Sequence, residues 1–411
     1  MSDNIELRVN IWYATLTIPK DARTVIGKFK FHQTLGTGDR KVALGIKAPL
    51  IALWKAQIAE ARGQVGAVAD EAQRWKGYLA QATGVNKDVL ETSILEKALE
   101  IKEQEGDEKA GDFYKVAMGY STLLNSHYDK WVYQISLVPK TKAQTVKDVN
   151  VFLARFTTIE KVTKQKVKEW VDEIQAQGYS IGTANRLLIS SRNYWRYLQQ
   201  QNIVSVDSEP LSLKGLLPTA KKKNKNGWMP FEPSSIISIW EEAISREDQS
   251  LADLIYLGAY TGARIEEICA MKLNNVTDKF LKIVDSKTNA GIREVPIHSK
   301  LKLIINRLKD SSTDGYLLTG LTFNKYSDRS NNLGKRFGKL KTKLGHSRNH
   351  VFHSIRKTFV TLLENAGVSE GVTADIVGHE KKTMTYGLYS GGNSLEIKKA
   401  AIELVNYDFV C

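Results

Sequence analysis

Four side chains towards the C-terminal end have types and spacing that suit chemistry on a phosphate. His353 and Arg356 stand three apart at the start of an apolar-periodic run that includes Phe359, Leu362 and Leu363. On a helix that spacing puts both on one face. A loop containing Gly367 follows, then a short apolar turn, then Gly378-His379, and ten residues later Tyr389. The set combines a permanent cation, two proton carriers and an oxygen nucleophile. In isolation it carries little weight. With seven His and 59 Lys+Arg in 411 residues, a histidine followed three later by a basic residue arises about once by chance.

Two upstream stretches could complete the set. In Thr261-Gly262-Ala263-Arg264-Ile265-Glu266-Glu267-Ile268-Cys269, a glycine turn places Arg264 in the first turn of an otherwise apolar helix. Arginine is rarely buried without a partner, and Glu267, three residues on, is placed to orient it. Residues 274–297 read as strands, with a turn at Asn289-Ala290-Gly291; Lys287 precedes that turn and Arg293 follows it. A lysine at a hairpin tip reaches well out from its sheet, although an exposed edge-strand lysine is also a common guard against aggregation.

The elements that must position these residues fit a mostly α fold with small β elements, an α+β class. Residues 1–63 read as a small sheet plus a helix: strands at 12–19 and 28–35 around a turn, Gly36-Thr37-Gly38-Asp39 as punctuation, and Asp39 as cap of a helix running to about Arg62. Residues 64–138 read as spacer or packing helices rich in Glu, Lys and Ala. Residues 139–207 read as a helical module, with Thr163 as an N-cap, Gly178 as a stop and a long helix from Ser180 to Gln201. On that last helix Arg186, Arg192 and Arg196 alternate with Ser, Thr and Asn, the residue types that contact phosphates. Residues 208–230 form a linker carrying Lys221, Lys222 and Lys223. Residues 231–411 form the last domain, where Lys335, Arg336 and Lys339 make a second basic patch.

Charge names the class of partner. A net charge of +14 at a pI near 9.4 favours a polyanion, with nucleic acid the default. The two cysteines, Cys269 and Cys411, form neither a metal-site spacing nor a disulfide framework. There is no signal-peptide pattern at the start and no apolar stretch of membrane-spanning length, so the expected location is the cytoplasm.

Taken in order, TGARIEEICAM, SKTNAGIREVPI, HSIRKTF and GHEKKTMTYGLYS resemble the catalytic domain of the tyrosine recombinase (phage integrase) family over residues 231–405. Residues 141–205 look like its helical core-binding domain. The first 63 look like the arm-binding region of temperate-phage and genomic-island integrases. The resemblance implies a site-specific DNA integrase that cuts and rejoins DNA through a 3′-phosphotyrosine. It implies Arg264, Lys287, His353, Arg356, His379 and Tyr389 as catalytic residues, with Glu267 as support. Tyr389 is preferred to Tyr386 because the GHxxxxMTxxxYS spacing is similar to the family pattern. Double-stranded DNA at core and arm sites, a homotetramer on DNA, a host DNA-bending protein and an excisionase are the implied partners. No cofactor and no metal are expected. A resolvase-type recombinase and a DNA-binding relative without catalysis are the competing readings.

Overall fold

The computed structural model describes residues 4–61, 68–217, 227–285, 289–381 and 390–409. Lys221, Lys222, Lys223, Lys287, Tyr386 and Tyr389 lie outside the described residues. The chain divides into two units, Met1–Thr219 and Ala220–Cys411. Both are built mainly of helices, each with a small antiparallel sheet. Among the described residues no helix is long and apolar enough to cross a membrane.

The first unit opens with β1 (Ile5–Arg8), β2 (Ile11–Thr17), α1 (Lys20–Ile26) and β3 (Lys30–Thr34), the strands pairing in the order β1-β2-β3. The sequence reading missed β1 and took residues 19–27 for a turn. The strand is short and charged, and it is held by its register against β2, with Ile5 opposite Ala14 and Leu7 opposite Trp12. The helix starts behind Pro19, whose fixed φ suits a helix entry, and ends at Gly27 with φ 73°. Asp39 does cap α2 (Arg40–Ala61): its Oδ1 accepts from the Lys41 N–H at 2.7 Å.

Helices α3 (Val68–Gln81), α4 (Val85–Glu105) and α5 (Asp107–Ala117) follow. Trp75, Ile94, Ile101 and Phe113 share one core with Phe31, Ile46 and Trp54. The helices read as a spacer thus complete the sheet's own core, and a boundary at residue 63 does not separate two cores. A second core in this unit gathers Trp131, Phe152, Phe156, Trp170, Leu188 and Tyr194. It lies among α6 (Tyr128–Gln134), α7 (Pro139–Arg155), α8 (Lys164–Ala176) and α9 (Ile181–Gln200). The expected cap is in place, Thr163 accepting from the Lys166 N–H; Ser180, read as the first residue of the next helix, is its N-cap and accepts from the Thr183 N–H. The two cores are tied at Asp112 of α5, whose carboxylate accepts from Thr157 Oγ1 (2.6 Å) and from Lys161 Nζ (2.6 Å).

The second unit is arranged around one helix. After α10 (Pro233–Ser245) comes α11 (Gln249–Thr261), buried along its whole length from Leu251 to Thr261. A helix buried all round belongs at the centre of a core. Short α12 (Ile265–Cys269) leads to the hairpin of β4 (Phe280–Ile283) and β5 (Arg293–Pro296), with Ile283 opposite Arg293. Then come α13 (Lys302–Ser311), α14 (Asn331–Lys343), α15 (Phe352–Asn365), α16 (Glu370–Val377) and α17 (Leu395–Ile402).

Glycines let α15 lie close on α11. A Cβ on Gly258 would come within 2.8 Å of Phe352 Cζ; one on Gly262 would come within 2.4 Å of Phe359 Cδ1. Gly262 also ends α11 at φ 59°, a left-handed conformation. We expect Gly262→Ala to destabilise the second unit by about 3 kcal/mol or more, adding the left-handed penalty of ~1–2 kcal/mol to overpacking of ~1–3 kcal/mol. Gly367→Ala, at φ 78° with nothing within 4 Å, should cost only the first part. Urea unfolding of the full chain checks both; equal effects from the two would show that the close approach to Phe359 is not what matters.

Candidate active site

The centre of the site is the Glu267 carboxylate. Its side chain is only 5 % exposed. It accepts from the Arg264 backbone N–H at 2.8 Å and from Arg264 Nη1 at 2.6 Å. Arg293 approaches from the other side, with Nη2 at 2.9 Å and Nη1 at 3.2 Å. Arg264 is the N-cap residue of α12 rather than a member of its first turn. Glu267 at N3 therefore reaches back to the cap N–H, the reciprocal half of a capping box, and orients the arginine side chain in the same contact. Burial opposes ionisation of Glu267, but the hydrogen bonds and charge of Arg293, with the donors of Arg264, outweigh it and hold the carboxyl below the usual range.

Arg293 is buried and fully engaged: besides Glu267 it donates to Ile376 O (2.7 Å) and Gly291 O (2.8 Å). The sequence reading noted it only as the residue after a turn. The signal was its register in β5, where alternation puts it on the same inward face as Val295. Arg264, by contrast, keeps 39 % of its side chain exposed.

Arg356 sits one turn into α15 and is 2 % exposed. It donates to Gly262 O at 2.9 Å and to Val377 O. The last carbonyls of α16 thus hold two guanidinium groups, Ile376 O taking Arg293 and Val377 O taking Arg356. These are the groups a helix C-terminus leaves unsatisfied, at its negative end. Burial and the charges of Arg264 and Arg293 pull Arg356 down to about 9, against the opposing charge of Glu267. It still carries its charge at neutral pH.

Gly378 closes α16 at φ 73°, and a Cβ there would meet Ala290 O and Arg293 Nη1, each at 2.9 Å. The glycine lets the helix end seat against the base of the hairpin. The turn then delivers His379, exposed, from a backbone held by its N–H on Ala374 O. His353, in the first turn of α15, is exposed as well. Both imidazoles are pushed below their ordinary pKa of 6.5 by partial burial and then by Arg356 and Arg264; Glu267 pulls the other way on His353. Around one carboxylate, then, stand three guanidinium groups and two neutral imidazoles. Among the described residues the cluster carries a net positive charge, and donors fixed in advance around it can stabilise negative charge as it develops.

The structure therefore brings together Arg264, Glu267, His353, Arg356 and His379. The expected phosphate-contacting residues fare differently. Arg186 is bound to buried Asp148 at 2.9 Å, Arg192 donates to Leu211 O at 2.7 Å, and Arg336 is paired with Asp248. Each spends donors inside its own unit. Lys335 and Lys339 stand exposed four residues apart on α14, with no partner found among the described residues. In the first unit Arg8 and Lys30 pair with Glu6, Lys28 pairs with Glu100, and Arg23 stacks on Phe29 at 4.1 Å.

Two outcomes follow from these fields. Glu267→Gln leaves Arg293 buried without its counter-charge and should cost about 3 kcal/mol or more at pH 7. A carboxyl with a depressed folded pKa stabilises above its unfolded value and loses that contribution as pH falls through the folded one. The stability gap between wild type and Glu267→Gln should accordingly narrow as pH drops below the ordinary 4.5; denaturation midpoints from pH 7 to pH 3 measure it, and a constant gap would rule out the electrostatic account. Second, proton NMR titration should place the His353 and His379 midpoints below 6.5, with both moving up in Arg264→Ala.

Residues 230–394 match the phage integrase family, residues 134–202 match the phage integrase N-terminal SAM-like domain, and residues 4–63 match a domain of unknown function (DUF6538). The chain is 23 % identical over 232 residues to the tyrosine recombinase XerC of Pelotomaculum thermopropionicum, covering 53 % of this chain and 73 % of that protein. It is 23 % identical over 269 residues to the transposase from transposon Tn916 of Enterococcus faecalis, covering 57 % and 64 %. Among solved structures, a lambda integrase tetramer bound to a Holliday junction shares its fold at a TM-score of 0.53 and 15 % identity, over 67 % of this chain and 80 % of that one. With both integrase modules matched in order, and with the guanidinium-rich site falling inside the larger of them, the chain belongs to the tyrosine recombinase (phage integrase) family.

Proposed function

We propose that this protein is a site-specific DNA recombinase of the integrase type, which moves a prophage or another mobile element by cutting and rejoining DNA through a covalent 3′-phosphotyrosine. The observation that carries the reading is the sheltered surplus of guanidinium charge around Glu267. A scissile phosphodiester supplies the missing anion. Arg264 and Arg356 offer forked donors to its non-bridging oxygens as charge builds there. His379 adds a hydrogen bond to the same phosphate.

The phenol oxygen of Tyr389 attacks phosphorus, and its proton passes towards neutral His353. The bond from phosphorus to the 5′ oxygen breaks, and Lys287 protonates the leaving oxygen. Attack by a 5′ hydroxyl on the phosphotyrosine reverses the step and rejoins the strand. Charge neutralisation rests on the guanidinium groups, so no metal or cofactor enters the proposed step.

The assembly follows the same reading. Residues 231–411 form the catalytic domain, with Lys335 and Lys339 along the DNA backbone; residues 139–207 bind the core site and residues 1–63 the arm site. Lys221, Lys222 and Lys223 track phosphates within the linker. Four copies act on paired sites, in keeping with the tetramer seen for lambda integrase on a Holliday junction. A host DNA-bending protein and an excisionase are the proposed accessory partners.

A nicked duplex carrying the protein's own attachment site tests the chemistry, because the cut fragment diffuses away and traps the covalent adduct. Wild type should give an adduct in the presence of EDTA as in its absence, and Tyr389→Phe none. Arg356→Ala should slow adduct formation by about 10²–10³-fold, as for loss of one preorganised donor. An adduct from Tyr389→Phe, or none from wild type, would overturn the assignment.

A further inference from the structure

The last turn of α16 carries a second device on another side chain. Asp375, 18 % exposed, takes four contacts on one carboxylate. Lys381 Nζ lies 2.8 Å from Oδ2 and 2.7 Å from Oδ1. Oδ2 also accepts from the Asn393 backbone N–H at 2.8 Å and from Asn393 Nδ2 at 2.7 Å. Lys381 is itself only 12 % exposed. One carboxylate therefore ties two points of the chain, residues 381 and 393, and Tyr389 lies between them in sequence.

A purely local role explains this poorly. A negative charge in the final turn of a helix opposes the helix dipole, so Asp375 is unfavourable to α16 itself. Its stabilisation comes from the donors that later chain brings to it. Exposed ion pairs are weak, but a sheltered carboxylate with several charged and amide donors is not of that kind. The same helix turn presents Ile376 O to Arg293 and Val377 O to Arg356. Arg293, Asp375, His379, Lys381, Ser390 and Asn393 all border one cleft of about 710 Å³. The turn thus refers two chain points on either side of Tyr389 to the frame that holds the arginines.

We infer that Asp375 is a positioning residue that pins both ends of the Tyr389-bearing segment, so that the nucleophile is delivered to the phosphate at reduced entropic cost. The inference rests on the proposed role of Tyr389. Tethering both ends of a segment removes conformations that would otherwise be lost on reaching the reactive geometry.

The two directions of the reaction separate this role from simple support of the fold. Before cleavage the tyrosine must be found; in the covalent intermediate the DNA already holds it. Asp375→Ala should therefore slow single-turnover cleavage of the nicked duplex at saturating DNA by about tenfold or more. Rejoining from the preformed covalent complex, started by adding a strand with a 5′ hydroxyl, should stay close to the wild-type rate, and DNA affinity should not change. Asn393→Ala, which removes one donor from the far end, should show the same asymmetry to a smaller degree, and Asp375→Glu should recover part of the cleavage rate. Equal slowing of cleavage and rejoining would mean that Asp375 supports the arginine frame and would overturn the inference. So would wild-type cleavage by Asp375→Ala. If Tyr389→Phe still forms the adduct, the proposed nucleophile falls first and the inference falls with it; loss of adduct in Tyr389→Phe beside full-rate Asp375→Ala would sink the inference alone.

Discussion

The second unit depends on the cost of taking guanidinium charge out of water. Arg293 and Arg356 are both buried, and among the described residues Glu267 is the one carboxylate found with them. An ion in a low-dielectric interior is tolerated only when its donors are met. Here they are met by carbonyls that secondary structure leaves unsatisfied: Gly262 O at the end of α11, and Ile376 O and Val377 O at the end of α16. The site sits where helices stop, because that is where a backbone has acceptors to spare.

That requirement explains the glycines. Gly262 must end α11 in a left-handed turn and let Phe359 approach, or its carbonyl would not reach Arg356. Gly378 must do the same for α16 against Arg293 and Ala290 O. Meeting the donors of Arg356, and those of Arg293 beyond its contacts with Glu267, with carbonyls instead of further carboxylates preserves a positive field. A second acid in place of those carbonyls would stabilise the protein and cancel that charge. Partial burial, and then that field, hold both histidines below their ordinary pKa, and a neutral imidazole is the form able to take a proton.

Much of this was legible in the chain. The three-residue spacing of His353 and Arg356, the Arg264–Glu267 pair after a glycine, and the caps at Asp39 and Thr163 are local patterns, set by helical period and by hydrogen bonds within a few residues. The small sheet of the first unit was half visible: β2 and β3 alternate, whereas β1 is short and exists by pairing. The partners of Arg186, Arg192 and Arg336, namely Asp148, Leu211 O and Asp248, could not be read locally, because they are 38, 19 and 88 residues away. Nothing local distinguishes a solvated arginine from one that a distant acceptor has already claimed.

The sequence by itself determined which residue types could act on a phosphate, the helical character of most of the chain, and its positive charge. Only the tertiary structure decided that Arg293 completes the charge cluster, that α16 holds two arginines by its carbonyls, and that Asp375 joins residues on both sides of Tyr389. The physical reason is range. Period, caps and turn chemistry act over three or four residues, and one sequence displays them directly. Burial and charge pairing act between residues that become neighbours only after α11, α12, α15, α16 and the β4–β5 hairpin have packed together.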